Sequence, residues 1–191
     1  AADGVYSRTK EILFKKEGIP KYFNSIALRG NIQNFENLDI SLYFGSNFHF
    51  VIYPINQNNE FNFISIVRKK LIESEITDKS IFNDKNFISN LMSQISSKSN
   101  LNLTELVKEV KCFPIFVSKK IKLPNNKNIF LMGDAFFSFP PSFAQGASQS
   151  IESANDLFND LNNNLSNYYK KRVLKTKQIN SRSSINHYVF H

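Results

Sequence analysis

The sequence predicts an α/β fold whose middle part is of the α+β kind, built on a mostly antiparallel sheet. Short runs rich in β-branched and aromatic residues, separated by Asn, Gly and Pro, fill residues 25–68. The apolar run at 129–132 stops at a glycine, which is typical of a strand covered on both faces in a parallel sheet. Apolar residues then recur every three or four positions through 147–165, which indicates an amphipathic helix.

The chain has 191 residues, a net charge of +8 and a single cysteine. A chain of this length buries roughly 70% of the surface that it exposes when unfolded, so its core needs neither a disulfide nor a metal. Cys112 has no partner for an internal bridge, which favours a reducing compartment, and we expect a cytoplasmic protein. No apolar run approaches the roughly 20 residues of a transmembrane helix, so no transmembrane segment is predicted. The three histidines are too scattered to predict a metal site.

Most of the excess positive charge lies in residues 166–191, which contain no acidic residue. Tyr169, Val173, Thr176 and Ile179 recur there at helical spacing. The sequence therefore predicts a basic C-terminal helix whose charged residues face solvent, with an anionic partner as the alternative. No motif of a nucleic-acid-binding fold accompanies the charge, so no nucleic-acid partner is expected. The basic residues are Lys170, Lys171, Arg172, Lys175, Lys177 and Arg182.

The N-terminal part of the sequence predicts a turn, then a helix and then several strands. Ala1–Gly4 look like the end of a strand that runs into a turn, so we expect a segment of the fold to precede them. A helix is predicted from Ser7 to about Lys16, closed by Gly18-Ile19-Pro20. Antiparallel strands follow, with a hairpin loop at 56–59. Their predicted ranges are Ser25–Ile32, Ile40–Phe44, Phe48–Ile55 and Phe61–Arg68.

The region between these strands and the last third is less regular. Residues 71–111 carry apolar side chains at mixed spacings of three and four, including Leu103, Leu106 and Val110. This spacing predicts two helices separated by a break at 96–100. A further strand is predicted over Phe113–Ile121.

The last third combines a strand, a turn with an acid, and a helix. A strand is predicted over Asn128–Met132, and Asp134 follows directly after its closing glycine. Ligands of open α/β sheets lie outside the carboxyl ends of strands, where this carboxylate can accept hydrogen bonds from a sugar hydroxyl. The next helix begins near Gln145-Gly146-Ala147, and its free N–H groups favour an anion. The alternative is a structural turn in which Asp134 caps Phe136 or Phe137.

These residues carry a resemblance to a known family. Gly133–Ala154 resembles, without a gap, the second FAD-binding stretch of the flavin-dependent aromatic hydroxylases, through Gly133-Asp134, Pro141, Gln145-Gly146 and Ile151-Glu152. Asp3-Gly4, with Ser7 in register and Lys10 where Arg is usual, is similar to the Asp-Gly fingerprint of the same family. The tail from Tyr169 to His191 resembles its salicylate-hydroxylase-like branch.

The resemblance implies a partial FAD-binding Rossmann-like domain with an inserted, mostly antiparallel sheet domain for the substrate. The expected segments are an FAD-domain piece with the Asp-Gly motif at 1–20 and the substrate domain at 21–121. A strand-Gly-Asp-helix piece of the FAD domain is expected at 122–165, and the basic C-terminal helix at 166–191.

The same resemblance implies roles for individual residues. Asp134, after Gly133, would hold the ribityl or pyrophosphate region of FAD, and Pro141 would line the flavin near the substrate. Asp3, Gly4 and Arg8 would help to position FAD and the nicotinamide donor. The resemblance assigns no catalytic residue beyond the flavin-lining candidate Pro141. The helix start that would face the phosphate and the flavin edge comprises Gln145, Gly146, Ala147 and Ser148.

The implied activity is that of a monooxygenase that uses FAD, NAD(P)H and oxygen to hydroxylate an aromatic or similarly planar small molecule. No Gly-x-Gly-x-x-Gly loop occurs in the chain. We therefore expect the partner of this chain to be an N-terminal segment of the same enzyme, without which the chain binds FAD weakly or not at all. The alternatives are a non-catalytic interaction module and an FAD-dependent reductase on the same scaffold. The motif departs from the family pattern at Phe136, Phe137, Ala144, Ser148 and Ser153.

Overall fold

The computed structural model describes residues 1–36, 39–56, 59–125, 128–161 and 165–190. Within them the chain forms two compact units. The first comprises Ala1–Phe23 and Phe116–Val189, and the second comprises Asn24–Ile115 with Phe190. The predicted fold class is confirmed, since helices accompany a five-stranded sheet whose pairs of described register are antiparallel.

The elements follow one another in an order that begins with a helix and ends with a long helix pair. Short 3-10 helices lie between them in the described ranges, at Lys15–Glu17, Lys79–Asn83 and Pro141–Phe143. The helices and strands are α1 (Arg8–Phe14), β1 (Lys21–Gln33), β2 (Ser41–Phe44), β3 (Phe48–Pro54), β4 (Glu60–Arg68), α2 (Glu73–Thr77), α3 (Lys85–Ser99), α4 (Leu103–Leu106), β5 (Val107–Val117), α5 (Gly133–Phe136), α6 (Gly146–Leu161) and α7 (Leu165–Val189).

The sheet has the strand order β2-β3-β4-β1-β5. The alternating apolar residues that predicted its strands supply its core, because successive side chains of a strand point to opposite faces. Strand β1 runs antiparallel to β4 from Ser25 opposite Arg68 to Gln33 opposite Glu60. Strands β3 and β4 form the predicted hairpin, and residues 57 and 58 of its loop lie outside the described residues. Side chains of this sheet that are fully buried include Ile26, Leu28, Ile32, Phe50, Ile52, Phe61 and Phe63.

The prediction for residues 96–121 is wrong in two places. Helix α3 continues through the expected break and ends at Asn100, whose left-handed backbone (φ 57°) is a common helix terminator. Strand β5 then begins at Val107 and ends at Val117, whereas a helix through Val110 and a strand from 113 to 121 were expected. Glu109 has a φ of 51°, and the alternation of buried residues is interrupted at this point. A bulge of this kind shifts the two-residue period and makes a strand look helical in sequence.

The core of the first unit is an apolar cluster around the motif segment. Leu131, Phe136 and Phe137 are buried at its centre. Residues of α1 and α7 pack against them, among them Leu13 and Val173. Among the described helices, none combines the length and the apolar character needed to cross a bilayer.

The C-terminal helix forms as predicted, but one of its basic residues does not face solvent. Thr176 and Ile179 are buried on the expected inner face of α7. Arg172 is only 2% exposed, because it lies against acidic and amide side chains of α6. The expectation of a fully solvated basic face is therefore wrong at this position.

Candidate cofactor site

A small cavity in the first unit brings the two predicted motifs together. Its lining comes from the N-terminal turn, the start of α5 with the residue just before it, and the first turns of α6. The cavity has a volume of about 170 Å³. Whole small-molecule sites span roughly 300–1,000 Å³, so this volume matches only a part of a dinucleotide. The lining residues are Ala2, Gly4, Met132, Gly133, Asp134 and Ser150.

The N-terminal turn is held together by the carboxylate of Asp3. It accepts hydrogen bonds from the Ser7 hydroxyl at 2.6 Å and from the amide and hydroxyl of Thr9, each at 3.1 Å. Burial raises the pKa of this carboxyl, but these hydrogen bonds outweigh it and lower the pKa to about 2. Gly4 follows with a φ of 77°, a conformation that glycine adopts without strain. The acceptor oxygens of Asp3 are thus used inside the turn, and Gly4 is the motif residue that lines the cavity.

Residues 129–132 form no regular strand, which corrects the prediction of a strand over 128–132, although Met132 itself has extended backbone angles (φ −128°, ψ 155°). On one edge the N-terminal amine of Ala1 donates to Phe130 O, and the Met132 amide donates to Ala1 O at 2.9 Å. This pair of bonds is the pattern of a parallel bridge between Ala1 and Leu131.

Tyrosine hydroxyls of α7 take the place of a neighbouring strand on the other edge of this segment. The Leu131 amide donates to Tyr169 Oη at 3.1 Å, and the Tyr168 hydroxyl donates to Leu131 O at 2.7 Å. The Tyr169 hydroxyl also donates to Ile129 O at 3.2 Å. The two tyrosine hydroxyls therefore satisfy the backbone N–H and C=O groups of Leu131 and the C=O group of Ile129, which a neighbouring strand would otherwise pair.

Gly133 lets the chain turn sharply against α6. Its φ is 54°, and a Cβ at this position would lie 2.6 Å from Ser150 Oγ. Its amide donates to Ser153 Oγ at 3.4 Å, and Ser153 Oγ lies 2.8 Å from the Tyr168 hydroxyl. Only a residue without a side chain fits both the backbone conformation and the close approach.

The carboxylate of Asp134 is half-buried on the cavity wall. Within the described part of the chain it accepts no hydrogen bond. The amides that it was expected to cap bond elsewhere, since Phe136 donates to Met132 O at 3.4 Å and Phe137 donates to Gly133 O at 3.0 Å. The capping alternative is therefore wrong. Burial raises the pKa of this carboxyl, and the charge of Lys10 partly offsets that rise.

Lys10 is the counter-charge of Asp134, and its side chain is 3% exposed. Its ammonium donates to Ser118 Oγ at 2.8 Å and to Phe136 O at 3.0 Å. Burial lowers the pKa of this ammonium to about 8, and the charge of Asp134 opposes the decrease. The resemblance to the Asp-Gly fingerprint included Lys10, but it did not reveal that the Lys10 ammonium supports α5, the short helix that carries Asp134.

Other predicted site residues lie outside the cavity lining. Arg8 is exposed and pairs with Glu11 at 2.6 Å. Pro141 is exposed in a single 3-10 turn, and Gln145 is half-buried just before α6. The first three residues of α6 are exposed, and their N–H groups precede the first amide that has an intrahelical acceptor. They are Gly146, Ala147 and Ser148.

Sequence reasoning did not single out Ala2, Met132 and Ser150 as lining residues. The sequence did contain a sign of the contact that Ser150 makes. Gly133, directly before Asp134 and after an apolar run, implies that another element approaches the backbone closely. Nothing in the sequence indicated which residue of the following helix makes that approach. The structure assigns it to Ser150.

The structure is similar to several solved flavoenzyme structures. A salicylate hydroxylase in a substrate complex is 17% identical with a TM-score of 0.77, and the match covers 100% of this chain and 54% of that one. The 2,6-dihydroxypyridine-3-hydroxylase of Arthrobacter nicotinovorans is 16% identical with a TM-score of 0.70, and the match covers 99% and 53%. HpxO of Klebsiella pneumoniae, solved with FAD and uric acid, is 18% identical with a TM-score of 0.68, covering 98% and 51%.

No protein-family model matches the sequence, and no curated protein sequence matches it significantly. The neighbours confirm the fold predicted from the resemblance, because they include aromatic-ring hydroxylases and one is solved with FAD. The chain spans about half the length of each of these structures. It therefore has the fold of part of such an enzyme.

Proposed function

We propose that the chain is part of an FAD-dependent, NAD(P)H-using monooxygenase that hydroxylates an aromatic or similarly planar small molecule. The observation that carries the proposal is the carboxylate of Asp134, half-buried, free of hydrogen bonds in the described chain, and on a cavity wall between Gly4 and Gly133. A half-buried carboxylate that has no donor in the described chain keeps its oxygens available to hydrogen-bond donors of a ligand or of water. The fold shared with aromatic-ring hydroxylases supports FAD as that ligand.

The residues of the cavity fit a hydroxyl-rich part of FAD. Asp134 would accept hydrogen bonds from ribityl or neighbouring hydroxyls, while Gly4 and Gly133 would let the ligand approach the backbone. The start of α6, from Gln145 to Ser148, would present N–H groups to the phosphates. Pro141 would lie along the flavin near the substrate.

The remaining motif residues would act on the shape of the site. Asp3 holds the turn that carries Gly4. Arg8 could meet the nicotinamide donor only by leaving its exposed pair with Glu11, which costs little because exposed ion pairs contribute about 0–1 kcal/mol. FAD, when bound, supplies the electron and oxygen chemistry of hydroxylation, and the chain supplies binding and orientation.

Four segments of the chain would have different roles in such an enzyme. Residues 1–20 and 122–165 would belong to the FAD domain, 21–121 would form the substrate domain, and 166–191 would form the basic C-terminal helix. An N-terminal segment of the same enzyme would complete the cofactor site, since the chain spans about half of the similar structures. A reducing, cytoplasmic location is consistent with NAD(P)H as the electron source and with the lone thiol of Cys112.

The test is an FAD titration of the complete protein that contains this chain. Asp134→Asn should weaken FAD binding by about 10- to 100-fold, because a charge-assisted hydrogen bond contributes roughly 1.5–3 kcal/mol. Glu105→Gln changes an exposed carboxylate of the second unit and should leave the affinity unchanged. Equal affinity of the Asp134→Asn protein and the parent would refute the assigned role.

A second measurement separates hydroxylation from the alternatives. The complete protein should oxidise NAD(P)H in the presence of a planar aromatic substrate, and the product should gain one oxygen atom from labelled O₂. Reduction of a substrate without oxygen gain would instead identify an FAD-dependent reductase. Absence of flavin binding together with strongly salt-dependent association would identify an interaction module.

A further inference from the structure

Helix α6 faces the rest of the first unit with polar side chains. Gln149, Ser153 and Asp160 are buried, whereas Ile151 and Phe158 are exposed. The amphipathic pattern of the sequence is thus real, but the apolar side is not the side that the described chain covers. The rotation of α6 about its axis is therefore set here by polar contacts and not by an apolar core.

Arg172 of α7 lies at the centre of these polar contacts. One of its terminal nitrogens is 3.1 Å from Asp156 Oδ2 and 3.5 Å from Glu152 Oε1. The other donates to Gln149 Oε1 at 2.8 Å and to Gln149 O at 3.5 Å. The side-chain amide of Gln149 donates in turn to Glu152 at 2.8 Å. The planar guanidinium thus binds one face of α6 over about two helical turns.

The surroundings of Arg172 favour a role in orientation over a role in stability. The side chain is buried, and its Nε has no hydrogen-bond partner in the described chain. Thr176 Oγ1, about one turn further along α7, is also buried without a partner there. Buried ion pairs pay a large desolvation penalty and often add no net stability, and their best-supported use is to fix how elements are arranged.

The bond between Arg172 and Gln149 acts next to the candidate site. Gln149 directly precedes Ser150, the residue of α6 that lines the cavity. Ser150 lies so close to Gly133 that a Cβ on Gly133 would be 2.6 Å from Ser150 Oγ. Any rotation of α6 that moves Gln149 away from Arg172 turns Ser150 by the same angle relative to Gly133. Arg172 thereby determines which part of α6 forms the cavity wall.

We propose that Arg172 is a positioning residue of the candidate cofactor site, which fixes the rotation of α6 and with it the place of Ser150 on the cavity wall. Arg172 does not line the cavity itself, so it acts through Gln149 and not on a ligand. The free N–H groups at the start of α6 turn with the same helix. The part of this inference that concerns FAD rests on the proposed function.

The first test measures the coupling between Arg172 and Gly133, which no hydrogen bond or ion pair joins in the described chain. In the complete protein, Gly133→Ala should lower the urea midpoint, because the added Cβ meets Ser150 Oγ. Arg172→Lys keeps a cation beside Asp156 but lacks the fork that also reaches Gln149. In that background α6 can turn, so the loss caused by Gly133→Ala should shrink by about a third or more.

Two further variants complete this test. Gln149→Ala removes the same bond without changing a charge, and should relieve the Gly133→Ala loss even if Arg172→Lys fails to fold. Lys171→Met is the matched control, because it breaks an ion pair between the same two helices at Asp160, about three turns beyond Gln149. An equal Gly133→Ala loss in the parent and in the Gln149→Ala protein would overturn the proposal. Equal relief in the Lys171→Met protein would also overturn it, because any loosening of the helix pair would then have the same effect.

The second test is an FAD titration of the same proteins. Gln149→Ala and Arg172→Lys should weaken FAD binding by about five- to tenfold, and Lys171→Met by less than about twofold. Relief of the Gly133→Ala loss in a complete protein that binds no FAD would support the role of Arg172 in orienting α6 and refute the proposed function. FAD binding that neither Gln149→Ala nor Arg172→Lys weakens would leave the function standing and refute the positioning role.

Discussion

The ammonium of Lys10 donates a 3.0 Å hydrogen bond to the carbonyl of Phe136, two residues beyond Asp134. It also donates to Ser118 Oγ, which in turn accepts a bond from the Ser138 amide at 3.0 Å. The buried ammonium of Lys10 therefore links α1 to both ends of residues 136–138, which follow Asp134 closely in the chain. Lys10 therefore contributes hydrogen bonds that hold this segment and a positive charge that acts on Asp134.

Replacement of this cation should destabilise the chain. We expect Lys10→Met to lower the free energy of unfolding by about 1–3 kcal/mol, because it removes the side-chain donor of the buried Phe136 carbonyl and one of the two N–H donors to Ser118 Oγ. Lys70→Met, at an exposed position of the second unit, should change it by less than about 0.5 kcal/mol. Urea denaturation of both variants measures the difference, and equal midpoints would contradict the role given to Lys10.

The same residue should make stability depend on alkaline pH. The folded chain lowers the pKa of Lys10 from 10.5 to about 8, so the unfolded chain binds more protons between these values. The free energy of unfolding contributed by Lys10 should therefore rise as the pH increases from 8 to 10.5, by up to about 3 kcal/mol. Subtracting the pH profile of Lys10→Met isolates this contribution, and parallel profiles would show that Lys10 keeps its ordinary pKa.

Gly133 should tolerate no side chain. Gly133→Ala combines a positive φ with a 2.6 Å approach to Ser150 Oγ, and we expect a loss of about 1–3 kcal/mol of stability. Gly146→Ala is the matched control, because a Cβ there meets no atom within 4 Å. Adding Ser150→Ala to Gly133→Ala should recover part of the loss. Thermal unfolding of the variants tests this, and additive effects of the two changes would argue against direct contact.

The hydroxyl of Tyr168 should stabilise the conformation of residues 129–132. Tyr168→Phe removes a donor to Leu131 O and a partner of Ser153 Oγ from a fully buried position, and should cost about 1–2 kcal/mol. Tyr188→Phe changes a side chain that is 79% exposed and should have little effect. Hydrogen exchange offers a local readout, since the Met132 amide should exchange faster only in Tyr168→Phe.

Local patterns in the sequence predicted the elements well where one period continued without interruption. Burial alternates in β1 from Ile26 onward, along β2, and in β4 as far as Ser65. Helix α6 begins at Gly146, close to the start expected from the proline break before it. The bulge at Glu109 could not be seen, because it replaces a period of two by a spacing that also suits a helix.

The site was predictable as a set of motifs but not as a geometry. The resemblance named Gly4, Gly133 and Asp134, which do line one cavity. The position of Ser150 and the burial of Arg172 depend on how α6 rotates about its axis. An amphipathic pattern shows that a helix has two faces, but it does not show which face the rest of the chain covers.

The chain leaves the first unit after Phe23 and returns to it at Phe116. Leu13 and Phe14 pack against the cluster of Leu131, Phe136 and Phe137, which a ribosome adds more than a hundred residues later. At about 5–20 residues per second, α1 would wait roughly 6–24 s for its partners while the second unit is being completed. During synthesis, we therefore expect Leu13 and Phe14 to stay accessible to a chaperone until the segment that carries the candidate site has been made.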